Sequence, residues 1–245
     1  MSSISSSQRR LVAALLAPFA PLALGAQRVV PLLPPRMEVG AAFEYAQPVS
    51  QFRQNVRRGF GGGGHFILGL DRARILGLRV DADFINYGNE SQYFVLSSAF
   101  RRINVEQKTS NNIFVASVGP QISVPTGPIR PYVNGAIGLA YFYTQTSLKG
   151  TDPYTNEQVD LAQATNYSDN SLAYSGAAGV YVPLPIIAQS ASLDIGARYN
   201  AIGRTRYLTK GDITNDPNNP NGIIITPRES DARFVTYHLG IAVKF

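Results

Sequence analysis

The sequence contains no cysteine, and charged residues make up only 16% of it. Without cysteine the chain can form no disulfide framework, no thiolate metal site, no cysteine nucleophile and no lipoprotein anchor. Charged residues usually account for about a quarter of a chain, whereas this one is rich in glycine (22), tyrosine (13) and phenylalanine (12). That composition disfavours helices and favours strands joined by tight turns.

The positive charge is small and dispersed. The formal net charge is +6 over 245 residues, and no stripe of basic residues interleaved with aromatic residues follows one face. A nucleic-acid partner is not expected. Hydrophobic residues make up 44% of the chain, which excludes global disorder, and the length suits one large all-β domain or two small ones.

The first segment is ordered like a secretory signal peptide. A polar stretch ending at Arg9 and Arg10 precedes the apolar stretch Leu11–Leu24, and the small residues Gly25 and Ala26 follow. This order is typical of an export signal, and the 14 residues of the apolar stretch are too few to span a bilayer as a helix. We expect cleavage after Gly25 or after Ala26.

No later segment could cross a membrane as a helix, because no run of 18 or more apolar residues occurs in the chain. The exported protein is then either soluble or a β-barrel. We expect residues 1–26 to be the cleaved signal peptide, 27–36 a short N-terminal periplasmic segment, and 37–245 an outer-membrane β-barrel.

The C-terminal segment has the period of a strand. Between Val235 and Phe245 every second residue is large and apolar, and the residues between them, from Thr236 to Lys244, are mostly small or polar. Such alternation identifies a strand with two unlike faces. The same split recurs upstream and predicts eight strands, at 37–47, 62–71, 75–87, 110–124, 129–144, 170–183, 191–206 and 232–245.

The connections between the predicted strands alternate in length. Strands 2–3, 4–5 and 6–7 are joined by short pieces, and the other connections are long and polar. An up-and-down barrel with two unlike ends produces this alternation. An even strand count brings both termini to the short-turn end, which we expect to be periplasmic.

The size of the barrel decides which strand face looks inward. A soluble barrel would enclose the large apolar face, but eight strands leave little room inside. Small residues and paired charges fit that lumen, and the apolar faces then meet lipid. The predicted fold is an all-β, eight-stranded antiparallel up-and-down transmembrane β-barrel. Its predicted lumen charge network consists of Glu44, Arg79, Asp81, Asp83, Asp194 and Arg198.

Tyrosines mark the long-loop ends of several strands. By parity, Tyr45, Tyr143, Tyr174 and Tyr199 face outward near those ends. Their shared position predicts an aromatic girdle at the membrane interface.

These features resemble the OmpA/OmpX-type family of small outer-membrane β-barrels over the whole chain after the signal peptide. The end of the chain also resembles the C-terminal signal read by the outer-membrane assembly machinery, with Tyr237, Leu239, Ile241, Val243 and Phe245 as its residues. The resemblance implies a place in the outer membrane of a Gram-negative-type bacterium. It implies contact with outer-membrane lipid, with lipopolysaccharide and with that machinery.

The two histidines are the first candidates for a catalytic site, because relatives in such families include lipid A acyltransferases, deacylases and proteases. His65 and His238 both fall on the predicted lumen face. Histidine catalysis needs a serine or an acid within hydrogen-bond reach, and no His-x-Ser pairing is present. We predict structural lumen histidines, no enzyme activity and no cofactor.

Two other segments could suggest ligand sites. Gly59–Gly64 lacks the Lys-Ser/Thr pair and the helix of a phosphate cradle, which predicts a flexible loop. Asp212 and the Asn/Asp/Pro-rich stretch 215–220 lack the spacing of a calcium loop. Turn chemistry explains that stretch, and no metal site is predicted.

Four arginines in the first two long loops could contact lipopolysaccharide: Arg57, Arg58, Arg101 and Arg102. Their guanidinium groups could pair with its phosphates through charge-assisted hydrogen bonds. A solvated loop surface explains them equally well.

The sequence as a whole predicts a non-enzymatic barrel with a structural or surface-interaction role carried by its long loops. A barrel that transports or binds a small ligand would need a wide, uncharged lumen, which the predicted charges oppose. A lipid-modifying enzyme would need a Ser/His/acid cluster, and a secreted soluble β-protein would need the opposite arrangement of faces. A closed barrel needs no partner, so no oligomeric state is favoured.

Overall fold

The computed structural model describes residues 37–96, 103–151, 158–186, 188, 190–215 and 223–245. The expected signal peptide and the segment 27–36 lie outside the described residues. Within them the chain forms strands β1 Met37–Val49, β2 Gly59–Gly69, β3 Leu76–Leu96, β4 Ile103–Ser123, β5 Arg130–Thr151, β6 Gln158–Pro183, β7 Ala191–Tyr207, β8 Ile213–Asn215, β9 Ile223–Ile225 and β10 Arg228–Lys244, and one short helix, α1 Phe52–Asn55.

Eight of these strands close into an antiparallel barrel. Their order around it is β1-β10-β7-β6-β5-β4-β3-β2, and β1 pairs with both β10 and β2. Tyr45, for example, lies opposite Tyr237 on one side and Phe60 on the other. The short strands β8 and β9 pair with each other in the last long connection. Among the described residues, no helix is long and apolar enough to cross a bilayer.

The barrel has an apolar exterior and a polar interior over its short-turn half. Outward-facing Leu139 and Leu239 are 59% and 55% exposed, whereas inward-facing Asp81 is 1% exposed. Exposed apolar side chains around the whole circumference suit a lipid environment, and closure pairs the backbone groups that lipid cannot satisfy. The predicted eight-stranded antiparallel transmembrane barrel is confirmed.

The predicted ends of four strands are wrong at the long-loop end of the barrel. The β3–β4 ladder continues to Leu96 opposite Ile103, and the β5–β6 ladder to Thr151 opposite Gln158. The β2–β3 and β6–β7 ladders stop far earlier, at Asn86 and Ala173. Residues 87–96, 103–112, 144–151 and 158–172 consequently form a four-stranded sheet beyond the closed barrel, here called the extension.

The extension escaped sequence reasoning because its strands do not alternate between apolar and polar residues. Cross-strand side-chain hydrogen bonds help to hold it instead. The Thr109 and Thr146 hydroxyl oxygens lie 2.9 Å apart, and the Asn166 amide donates to Thr146 Oγ1 over 2.6 Å. Much of what the sequence presents as long polar loops is thus paired strand.

The glycine run is part of β2 and not a flexible loop, which corrects the prediction for Gly59–Gly64. It pairs with β1 on one side and with β3 on the other. A Cβ atom on Gly61 would collide with the main-chain oxygen of Phe84, whereas one on Gly64 would lie 3.5 Å from the nearest atom, the main-chain oxygen of Gly40. Glycine at position 61 therefore permits a close approach of two strands.

We expect Gly61→Ala to lower the free energy of unfolding by about 1–3 kcal/mol, because the added methyl group forces two strands apart. Gly64→Ala, in the same strand, adds the same methyl group at ordinary van der Waals distance from its nearest neighbour and is the control. Urea unfolding of the refolded barrel in lipid vesicles measures both. Equal effects would contradict the close approach at Gly61.

Candidate functional site

The lumen has two layers of different chemistry. Toward the short-turn end its buried side chains include the charged network and two stacked tyrosines, and toward the long-loop end they include a cluster of aromatic and aliphatic residues. The expectation of a lumen lined by small and charged residues throughout is thus wrong for its outer layer.

Asp81 lies at the centre of the charged layer. Its Oδ1 accepts hydrogen bonds from Arg79 Nε over 2.8 Å and from Arg198 Nη2 over 2.5 Å. Arg198 also donates through Nη1 to Asp83 Oδ2 over 2.8 Å. Each arginine thus reaches a carboxylate on the same or a facing strand, as a buried charge requires.

Glu44 is buried next to this group. The six side chains of the predicted network, with both histidines, converge on a cavity of about 10 Å³, which is room for a single water molecule.

Both histidines face Asp194, a partner that the sequence did not reveal. His238 Nε2 lies 3.5 Å from Asp194 Oδ1, and His65 Nδ1 lies 3.9 Å from Asp194 Oδ2. The Tyr132 hydroxyl donates to Asp194 Oδ1 over 2.8 Å and lies 2.9 Å from His238 Nε2. His65 Nε2 is also 3.6 Å from Glu38 Oε1.

The acid partner of the two histidines lies far from both of them in the sequence, so sequence spacing alone did not identify it. The partner comes from β7, which reaches the same point of the lumen only in the closed barrel. Within the described part of the chain, no serine or threonine hydroxyl is hydrogen-bonded to either histidine. No group of three or more His, Asp or Glu residues there could hold a metal ion.

An aromatic plug closes the outer layer of the lumen. The connection between β1 and β2 folds into the barrel as α1 and carries the Phe52 ring, which is 1% exposed. Four rings surround it, with centroid distances of 6.0 Å to Tyr87, 6.3 Å to Phe142, 5.1 Å to Tyr207 and 6.3 Å to Phe234. Edge-to-face contacts of this kind add to the energy of burial.

The plug was missed because the segment around it is polar. Its only sequence signal is the pair Phe52 and Val56, four residues apart and both buried. That spacing places two apolar side chains on the same side of a helical turn. A single pair is too weak a pattern to predict a buried helix.

A polar latch holds the plug to the last long connection. Asn55 donates to the Tyr207 hydroxyl over 2.9 Å and accepts from Arg228 Nη1 over 3.0 Å. Arg228 Nε in turn donates to Asp212 Oδ2 over 3.0 Å, and Thr209 Oγ1 donates to the same oxygen over 2.8 Å. Asp212 therefore holds a turn, while residues 216–220 of the predicted turn lie outside the described residues.

This latch favours the ionised form of the Asp212 carboxyl group. Partial burial acts to raise its pKa, but the hydrogen bonds from Arg228 and Thr209 outweigh that effect and lower the pKa below its usual value. The carboxylate stays ionised, and the latch stays intact, well into mildly acidic conditions.

The other predicted site residues lie on the barrel surface. The five residues of the C-terminal pattern face outward along β10, and Phe245 exchanges two main-chain hydrogen bonds with Met37. Arg57 and Arg58 are exposed after α1, and the Arg58 guanidinium carbon lies 5.8 Å from the centre of the Phe60 ring. Arg101 and Arg102 lie outside the described residues.

No protein-family model matches the sequence, and no curated protein sequence matches it. Among solved structures, Ail of Yersinia pestis shares 14% sequence identity, with 87% of this chain and 100% of Ail covered at a TM-score of 0.44. Ail in complex with the heparin analogue sucrose octasulfate shares 12% identity, with 87% and 100% covered at a TM-score of 0.43. The outer membrane protein OprG of Pseudomonas aeruginosa shares 15% identity, with 86% and 96% covered at a TM-score of 0.48.

Arg198→Gln is expected to destabilise the barrel by about 3–5 kcal/mol, because it leaves the buried Asp83 without its cationic partner. Arg204→Gln is the matched control. It breaks the exposed pair with Glu229, which should cost about 1 kcal/mol or less. Equilibrium unfolding in vesicles compares the two, and similar losses would mean that the lumen network contributes no more than a surface pair.

We expect Phe52→Ala to cost about 3–5 kcal/mol, because the ring is enclosed and its removal leaves a void. Phe43→Ala removes the same ring from the lipid-facing surface, where Phe43 is 60% exposed. Lipid fills that space, so a much smaller loss is expected. The same unfolding assay compares the two variants, and a stable Phe52→Ala barrel would show that the plug is not packed as described.

Proposed function

We propose that the chain is a non-enzymatic outer-membrane barrel of a Gram-negative-type bacterium, acting through the surface at its long-loop end. The observation that carries the proposal is the inverted distribution of polarity, with an apolar exterior around a buried charge network. The outward C-terminal pattern on β10 supports recognition by the outer-membrane assembly machinery. A water-soluble barrel would place these apolar side chains inside.

The orientation follows from the unlike ends of the barrel. The short turns and both ends of the barrel chain, Met37 and Phe245, share one end, which we assign to the periplasm. The plug, the latch and the extension share the other, which we assign to the cell exterior. Outer-membrane barrels generally have short periplasmic turns and longer extracellular connections.

A surface role fits this protein better than transport. Ions or solutes would have to pass both the aromatic plug and the layer around Asp81, where the cavity holds about 10 Å³. Asp194 and the two histidines line that same cavity, which is too small for a lipid substrate. The extension, in contrast, continues the paired strands beyond the closed barrel at this end.

Lipopolysaccharide is the partner that the loop arginines favour within this role. Arg57 and Arg58 are exposed on the connection that carries the plug, and guanidinium groups pair well with phosphate. The corresponding roles of Arg101 and Arg102 stay predictions from the sequence.

Cell fractionation followed by gel electrophoresis with and without boiling tests the membrane assignment. We expect the protein in the outer-membrane fraction, with the unboiled band migrating faster than the boiled one, because a closed barrel resists detergent. A periplasmic protein without such a shift would overturn the proposal.

Cysteine labelling tests the orientation, and the absence of native cysteine makes it specific. Ser91→Cys lies in the extension and Ala73→Cys in the turn between β2 and β3, and both positions are exposed. A membrane-impermeant maleimide should label Ser91→Cys in intact cells and Ala73→Cys only after permeabilisation. The reverse labelling pattern would contradict the assigned orientation of the barrel.

A further inference from the structure

The lipid-facing surface carries an aromatic group near the long-loop end of β1, β2 and β10. We call Phe43, Tyr45, Phe60 and Tyr237 the aromatic shelf. Tyr45 lies at its centre, with ring centroids 5.3 Å from Phe60 and 6.4 Å from Tyr237. Aromatic side chains of this kind sit at the level of lipid headgroups in membrane barrels.

Two arginines lie directly beyond the shelf, on either side of β1. Arg58 precedes β2, with its guanidinium carbon 5.8 Å from the Phe60 ring centre. Arg233 of β10 lies opposite Val49 of β1, four residues beyond Tyr237. Since neighbouring strands are about 4.8 Å apart, the two positions are separated by roughly 10 Å across β1.

The connection from β1 to β2 has a surplus of positive charge. It contains Arg53, Arg57 and Arg58 and no acidic residue, and no described acid pairs with any of the three. On the neighbouring strands each arginine has an acid: Arg204 and Arg206 pair with Glu229 at 2.6 and 2.9 Å, and Arg233 with Asp231 at 3.1 Å. Within the described residues, the arginines beside the aromatic shelf thus lack the acid partner that these other arginines have.

In the opposite half of the barrel, three uncharged residues lie level with the shelf. There, Asn86, Asn112 and Tyr143 form a row across β3, β4 and β5. Asn86 donates to Asn112 Oδ1 over 2.8 Å, and Asn89 donates to Asn86 Oδ1 over 2.8 Å. These amides satisfy one another, so this row offers lipid no ionic contact.

We infer that the aromatic shelf and the arginines beyond it form a binding surface for a phosphorylated glycolipid of the outer leaflet. The inference rests on the proposed function, in which this end of the barrel faces the cell exterior. The acyl chains lie along the aromatic rings, and the phosphates accept hydrogen bonds from Arg57 and Arg58, with Arg233 within reach on the far side of β1. Stacking on Phe60 fixes the Arg58 side chain at headgroup level and leaves its N–H groups free to donate.

The double variant Arg57→Gln and Arg58→Gln tests this surface, with Arg204→Gln and Arg206→Gln as the control. Both remove two positive charges from the same end of the barrel, but only the first removes unneutralised ones. Binding of purified barrel to lipopolysaccharide should weaken about tenfold in the first variant and by less than about twofold in the control. Equal losses of affinity in the two variants would mean that only the net charge matters, and would overturn the proposed site.

Two further probes identify the ligand chemistry. Lipopolysaccharide treated with phosphatase should bind the unmodified barrel as weakly as the first variant binds intact lipopolysaccharide. Unchanged binding would contradict the proposal that the arginines bind the phosphate groups. Vesicles of phosphatidylglycerol should compete poorly, and equal competition would mean that any anionic lipid is recognised and that the glycolipid assignment is wrong.

The two proposals fail separately. Each variant is also examined for the gel shift on boiling and for maleimide labelling at Ser91→Cys. If these hold while Arg57→Gln with Arg58→Gln binds lipopolysaccharide normally, only the binding surface is disproved. If the barrel without the arginine substitutions shows neither the gel shift nor the labelling, the assignment to the outer membrane is wrong.

Discussion

The need to pair every backbone N–H and C=O group within a lipid environment governs this structure. The barrel meets this need by closing on itself, because β1 pairs with β2 along one side and with β10 along the other. Closure leaves the eight strands with one lipid-facing side and one narrow interior. The positions of the charge network, the plug and the aromatic shelf all follow from that division.

The narrow interior explains why the lumen is layered. Near the short turns, arginines and carboxylates from facing strands neutralise one another across it, with Asp81 shared by Arg79 and Arg198. Near the other end, β1 is followed by a connection long enough to fold back, and Phe52 fills the space among four aromatic rings. The two layers are thus held by different means, by ionic bonding in one and by apolar packing in the other.

The strands within the membrane were predictable because their two faces meet different surroundings. Alternation along β10 and β7 reflects lipid on one side and lumen on the other. Beyond the membrane this contrast disappears, so Thr109 and Thr146 gave no strand signal although they are paired. The glycine run misled for a related reason, since glycine signals flexibility in a loop but close approach in a strand.

The sequence by itself determined the alternating faces and hence the inverted barrel, because each is a property of residues near one another in the chain. Only the tertiary structure decided which side chains meet across the lumen. Parity assigned His65, His238 and Asp194 to the same interior, but their contact depends on the register of eight strands and on closure. The placement of Phe52 likewise depends on closure, since its four partner rings come from four different strands.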